Sequence, residues 1–107
     1  MGDIAKHKRF ENDRVVVWEF QLEPGESSGL HTHARDYFFH IIDGSVQRVS
    51  DAEGNSLGEA TLVPGATHWV TVEGDELVMD GQRLPATHEA TNIGTTTIRE
   101  LLVEFKT

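Results

Sequence analysis

Apolar and polar residues alternate along most of this chain, and turn-forming residues interrupt the alternation about every 8 to 12 residues. In segment 14–23, RVVVWEFQLE, apolar side chains occupy alternate positions at Val16, Trp18, Phe20 and Leu22, which is the pattern of a half-buried strand. Similar short segments follow at 36–43, 45–50, 56–63, 67–72, 76–79 and 96–105. The pattern predicts an all-β sandwich or barrel.

The last of these segments is ambiguous by pattern alone. Apolar residues fall at 98, 101, 102, 103 and 105, so a short helix over 98–105 stays open. The Thr-Thr-Thr run before it and the alternation of Leu101, Val103 and Phe105 favour a strand.

Length and composition limit the chain to one domain. The 107 residues, 37% of them hydrophobic, suffice for a single core. Residues 1–13 are charged and turn-rich, and we expect an N-terminal arm or edge segment there, followed by a barrel domain over 14–107.

The charge balance disfavours several partners. A formal net charge of -9 repels phosphate backbones and anionic lipid, so neither nucleic acid nor a membrane is expected as a partner. No apolar run is long enough to span a membrane and the first residues are polar, which predicts a cytoplasmic protein. Because the chain has no cysteine, any metal must be held by His, carboxylate, Tyr or backbone oxygen.

The strongest chemical signal is the pair His31 and His33, two positions apart before a predicted strand. Residues i and i+2 of a strand lie on one face, so both imidazoles can point to one spot. Two convergent imidazoles are half of a transition-metal site.

The surrounding spacing carries a family resemblance. The stretch Gly25-x5-His31-x-His33-x3-Tyr37-x6-Gly44 resembles the first signature motif of the cupins, with Tyr37 where that family usually has glutamate. The segment 88–92, HEATN, is similar to the His-x3-Asn that ends the second motif. The resemblance covers about residues 12–106 and is strongest to a group of single-domain bacterial cupins that includes proteins assigned to beta-alanine degradation. It implies a double-stranded β-helix, the cupin jelly-roll barrel.

Two histidines compete to be the third metal ligand that the resemblance implies. His68 also follows a Pro-Gly turn, but Val72 stands where the motif's asparagine should be. His88 has Asn92 at the correct spacing and requires an insertion of roughly residues 72–84. We favour His31, His33 and His88 as ligands, with His68 as a pocket acid/base or an ordinary surface or core histidine.

Tyr37 changes the expected chemistry of the site. Its even offset from His33 lets it face the cavity, but a neutral phenol is a weaker ligand than a carboxylate. A three-histidine centre without that carboxylate would carry more positive charge and favour an anionic small molecule. Apart from His68, Tyr37 and the ligands themselves, the sequence suggests no strong base.

The strand 36–43 also predicts a partner surface. Phe38, His40 and Ile42 have the parity opposite to Tyr37 and would form an apolar outer face, which suggests a homodimer. Asn92 is expected to hold the loop after His88 by side-chain hydrogen bonds.

The resemblance leaves two function classes. In the first, one divalent transition metal per chain (Fe, Mn, Zn or Ni) serves a small metalloenzyme that acts on a carboxylate-bearing metabolite, by dioxygenase or Lewis-acid chemistry. In the second, the chain is a non-catalytic cupin that binds a small ligand or metal as a sensor or accessory protein.

Overall fold

Every regular element of the described chain is a β-strand. The computed structural model describes residues 5 and 7–106. In chain order its strands are β1 (His7–Glu11), β2 (Val15–Leu22), β3 (His31–Thr32), β4 (Tyr37–Asp43), β5 (Val46–Ser50), β6 (Ser56–Thr61), β7 (Thr67–Glu73), β8 (Glu76–Met79), β9 (Gln82–Pro85), β10 (Thr87–Asn92) and β11 (Ile98–Phe105). The all-β prediction is confirmed, and segment 98–105 is a strand rather than a helix.

The strands form two antiparallel sheets. One sheet has seven strands in the order β1-β2-β11-β4-β7-β8-β9, and the other has four in the order β3-β10-β5-β6. β11 lies between β2 and β4, with Ile98 opposite Leu22 and Glu104 opposite Tyr37. Because side chains alternate between the two faces of a strand, this register sends one set of β11 side chains into the interior and the other outward.

The core lies between the two sheets. Leu22, Ile41 and Ile98 of the larger sheet are fully buried and belong to one cluster with Ala90 of the smaller sheet. A second cluster contains Tyr37, Val70, Leu77, Ala86 and Leu102. The predicted alternation in β2 is confirmed at Val16, Phe20 and Leu22, which are buried, while Trp18 on the same face is half-buried.

Asn92 anchors the turn that follows β10. Its side chain is fully buried, and its amide group donates to the carbonyls of Leu22, at 3.0 Å, and Thr96, at 2.8 Å. Its side-chain oxygen accepts from the Gly94 N–H at 3.0 Å and the Ser45 hydroxyl at 2.9 Å. These contacts agree with the supporting role expected of Asn92.

Gly44 is the point of closest approach between two chain segments. A Cβ atom at this position would collide with the carbonyl oxygen of Leu62 and contact Pro64. The first motif therefore ends on a residue that needs the small size of glycine, independently of its φ angle.

The expected insertion over 72–84 is an ordered hairpin. β8 pairs with the end of β7, and β9 pairs with β8, so both extend the larger sheet. Asp80 and Gly81 make the turn with positive φ angles of 50° and 77°, which suits an Asp-Gly hairpin. β9 was not among the predicted strands.

The N-terminal segment contributes an edge strand. β1 pairs only with β2, and all five of its residues are exposed. Residues 1–4 and 6 lie outside the described residues, and the proposed domain boundary at residue 13 stays a prediction. Within the described residues, no helix has the length and apolar character needed to cross a membrane.

Candidate metal centre

Three histidines meet at the edge of the smaller sheet. His31 on β3 lies directly opposite His88 on β10, and His33 follows β3 with its N–H bound to the Ala86 carbonyl at 2.9 Å. The ring centroids are 4.9 Å apart for His31 and His33, 4.8 Å for His31 and His88, and 5.0 Å for His33 and His88. The three imidazoles therefore form a nearly equilateral group.

The dimensions of this group suit one metal ion. One nitrogen from each ring can be chosen so that all three lie within 4.8 Å of one another, and all three residues are buried. Two nitrogens bound at about 2.1 Å to one ion are at most about 4.2 Å apart, so a small inward shift suffices. Among the described residues, this is the group of His and carboxylate side chains that has metal-binding spacing.

Backbone carbonyls orient two of the rings. His31 Nδ1 lies 3.0 Å from the Gly29 carbonyl oxygen, and His88 Nδ1 lies 2.9 Å from that of Pro85. Because a carbonyl only accepts, each Nδ1 carries the proton and donates it, and Nε2 keeps its lone pair for a ligand. This is the arrangement by which proteins fix the tautomer of metal-binding histidines.

His33 has an unpaired nitrogen. Its Nδ1 atom is buried and has no hydrogen-bond partner within the described part of the chain. A buried polar atom without a partner costs free energy. A ligand taken up from outside the chain, bound to this ring, would offset that cost, so the donor set fits a metal such as zinc, iron, manganese or nickel.

Burial keeps the three imidazoles neutral. It lowers the pKa of His33 to about 2, with the neighbouring His88 and His31 adding to the effect. Burial also lowers the pKa of His88 to about 4, against the opposing bond to Pro85, and lowers that of His31. Neutral imidazole is the metal-binding form, so at neutral pH the site needs to release no proton from these rings.

Tyr37 lies beside the group, as its parity predicted. Its ring stacks on His33 with a centroid distance of 4.4 Å and an interplanar angle of 17°, and only 5% of the residue is exposed. Burial and the nearby Glu100 and Glu104 raise the pKa of the Tyr37 phenol well above its usual value. The hydroxyl therefore keeps its proton, and Tyr37 is a neutral wall of the cavity in this state.

Sequence reasoning missed a carboxylate in this cavity. Glu100 on β11 lines the same cavity as the three histidines and Tyr37, and it is 6% exposed. Burial raises its pKa to about 7. The expectation that no strong base lies near the site apart from His68, Tyr37 and the ligands is wrong for this reason.

The alternation in β11 explains the omission. The apolar residues Leu101, Val103 and Phe105 drew attention to the odd positions, but the buried positions are the even ones, including Glu100 and Glu104. Glu104 accepts a hydrogen bond of 2.6 Å from the Trp18 indole. Ile98 and Leu102 share the face of the two glutamates, but the apolar residues on the opposite face obscure this parity.

His68 lies apart from the three-histidine group. It is on β7, its ring stacks on Phe39 at 5.1 Å, and its Nδ1 is 3.2 Å from a carboxylate oxygen of Asp80. The third imidazole beside His31 and His33 is therefore that of His88. His68 lines a separate, larger cavity of about 300 Å³.

The two cavities share walls. The cavity at the histidines, about 70 Å³, and the larger one both include Phe39, Gln47 and Val49 in their lining. A further cavity of about 80 Å³ is lined by the same three residues and also by Tyr37 and His88. The β8–β9 hairpin contributes Met79 and Leu84 to the larger cavity. The insertion thus shapes the space next to the candidate metal centre.

An exposed aromatic patch lies on the outer face of the larger sheet, next to the apolar outer face predicted for strand 36–43. Trp69 is 51% exposed, and its ring lies 5.4 Å from that of Phe105, which in turn is 6.1 Å from Phe38. His40 also points away from the cavity and is 2.7 Å from the Thr67 hydroxyl. The homodimer expected from this face stays a prediction.

Comparison with known proteins identifies the fold. No protein-family profile and no curated protein matches the chain. Among solved structures, a cupin-domain protein from Bordetella pertussis is 22% identical over 94% of this chain and 91% of its own, with a TM-score of 0.70. This likeness defines the chain as a protein of the cupin fold and confirms the double-stranded β-helix; the beta-alanine degradation group is not confirmed.

Two further structures show that different activities share this fold. A sugar phosphate isomerase of the cupin superfamily from Silicibacter pomeroyi is 23% identical, with a TM-score of 0.54, over 88% of this chain and 52% of its own. A predicted oxalate decarboxylase from Thermotoga maritima is 19% identical, with a TM-score of 0.51, over 87% of this chain and 67% of its own. At these identities the comparisons establish the architecture and leave the reaction open.

Proposed function

We propose that this chain is a small mononuclear metalloenzyme in which His31, His33 and His88 hold one divalent transition metal. The observation that carries the proposal is the buried group of three neutral imidazoles, two of them oriented by backbone carbonyls, at the wall of a cavity. Three protein ligands leave open positions for water and substrate, which is the arrangement of catalytic rather than purely structural metal sites.

We further propose a small, anionic, carboxylate-bearing substrate. The residues that line the three neighbouring cavities include no lysine or arginine, and the charged ones among them, Glu59, Asp80 and Glu100, are acidic. An anion in this space would therefore depend on the metal for its charge partner. When bound, the metal would supply Lewis acidity, or an oxygen-binding iron centre for a dioxygenase. The cavity of about 300 Å³ beside it has the size of a small-molecule site.

His68 and Tyr37 have different roles in this proposal. His68 is the more exposed and is hydrogen-bonded to Asp80, so it can exchange a proton with a ligand in the larger cavity. Tyr37 keeps its proton and can donate a hydrogen bond from the wall beside His33. Both are proposed as pocket-lining residues that contact substrate.

Metal loading followed by a turnover assay tests the proposal. The metal-free chain is first loaded with Fe(II) under anaerobic conditions, or with Mn(II), Zn(II) or Ni(II). It is then offered a panel of small keto acids and amino acids in the presence of oxygen, while oxygen uptake and product formation are followed. Turnover that His88→Ala abolishes is the expected result. Tight ligand binding without turnover for every metal would instead indicate the sensor or accessory protein. A cytoplasmic homodimer stays part of the proposal.

A further inference from the structure

Glu100 is a buried carboxyl group to which no side chain among the described residues donates a hydrogen bond. It lies on the inner face of β11 and is 94% buried, and no hydrogen bond or ion pair within the described chain opposes the effect of burial on its pKa. Buried carboxyl groups are normally paired. Glu104, four residues along the same face, follows that rule through its bond to Trp18.

The side chain of Glu100 faces the candidate metal centre. It lines the cavity that is also lined by His31, His33, His88 and Tyr37. It does not belong to the group whose ligand atoms lie within 4.8 Å of one another, so we do not count it among the direct ligands. The cavity that Glu100 and the triad line together has a volume of about 70 Å³, which can hold water or a small ligand group.

We propose that Glu100 is the carboxylate of this site, and that it accepts a hydrogen bond from the water or the donor-bearing ligand on the open side of the histidine triad. The inference deepens the proposed function and depends on its metal site. It also assigns a carboxylate to a cavity in which position 37 supplies a neutral phenol. The preferred ligand would present a negative oxygen to the metal and an O–H or N–H group to Glu100.

If Glu100 accepts a hydrogen bond from the ligand, replacing it by glutamine should change the affinities for two small ligands in opposite directions. Azide is an anion with no hydrogen to donate, so an ionised Glu100 repels it. Acetohydroxamic acid also binds metals as an anion, but its N–H group can donate a charge-assisted hydrogen bond to Glu100, which the neutral glutamine oxygen accepts more weakly. In Co(II)-loaded protein at pH 8, Glu100→Gln should bind azide about tenfold more tightly and acetohydroxamic acid about tenfold more weakly, as followed by the Co(II) absorption spectrum.

Two variants control this experiment. Glu104→Gln changes a buried glutamate on the same strand face that is already bound to Trp18, and its affinities for both probes should stay near those of the wild type. Glu100→Asp keeps the charge but shortens the side chain, so it should still repel azide while losing affinity for acetohydroxamic acid. This second variant carries the test if Glu100→Gln does not fold.

Each outcome decides between the alternatives. Tighter binding of both probes by Glu100→Gln would mean that the residue acts through charge alone, and unchanged binding of both would mean that it does not face the ligand; either result overturns the inference. A wild-type chain that takes up no Co(II) would refute the metal site and this inference together. Co(II) binding that His88→Ala abolishes, with unchanged probe affinities in Glu100→Gln, would refute this inference alone.

Discussion

Replacing Glu100 by glutamine should change how the stability of the metal-free protein depends on pH. Burial raises the pKa of this carboxyl from 4.5 to about 7 in the folded chain. Because one pKa step is worth about 1.4 kcal/mol, ionising the group in the folded state costs about 3 kcal/mol more than in the unfolded chain. The amide of the glutamine variant does not ionise in this pH range, so it carries no ionisation cost.

The direction in which the unfolding free energy changes with pH follows from which state, folded or unfolded, binds the proton. Between pH 4.5 and about 7 the folded chain holds a proton on Glu100 that the unfolded chain has released. Stability from this group is therefore fully present below pH 4.5 and is lost as the pH rises through about 7. The unfolding free energy of Glu100→Gln minus that of the wild type should be about 3 kcal/mol larger at pH 8 than at pH 4.5.

Urea denaturation of both proteins with a metal chelator present, at intervals from pH 4.5 to 8, measures this difference. Contributions from the buried histidines are common to both chains and cancel in it. A difference that stays constant with pH, or that falls as the pH rises, would refute the assignment of Glu100 as a buried, unpaired carboxyl group.

Three further predictions follow from the fold. Asn92→Ala removes a fully buried amide with four hydrogen bonds, and urea denaturation should show a loss of about 3 kcal/mol; a loss below about 1 kcal/mol would contradict the anchoring role. Gly44→Ala forces a Cβ against the Leu62 carbonyl, so its thermal midpoint should fall by several degrees, and an unchanged midpoint would mean that this contact is not present. Trp69→Lys places a charge in the exposed aromatic patch, and light scattering after gel filtration should show a dimeric wild type and a monomeric variant. A monomeric wild type would rule out the homodimer.

The strands could be predicted where one face is apolar and the other polar. The alternation in 14–23 and 36–43 located β2 and β4 to within one residue at each end. The hairpin strand β9 was missed because Gln82–Pro85 is only four residues long and contains a proline, which is unusual inside a sheet but tolerated at its edge.

The histidine pair could be recognised because its spacing and the strand period agree. The spacing between His88 and Asn92 favoured His88 as the third imidazole but left His68 open, because the contact depends on β10 pairing with β3 across a separation of more than 50 residues. Glu100 was missed for a related reason. β11 is apolar on its outer face as well, where Leu101, Val103 and Phe105 lie, so hydrophobicity alone does not give its parity.

The central claim is that His31, His33 and His88 hold one metal ion. The most direct test is the metal content of wild-type protein, His88→Ala and His68→Ala after loading with Zn(II) and gel filtration against a weak chelator. We predict one equivalent in the wild type and in His68→Ala, and a loss of most of the metal in His88→Ala. Full occupancy in His88→Ala, or a loss confined to His68→Ala, would contradict this account.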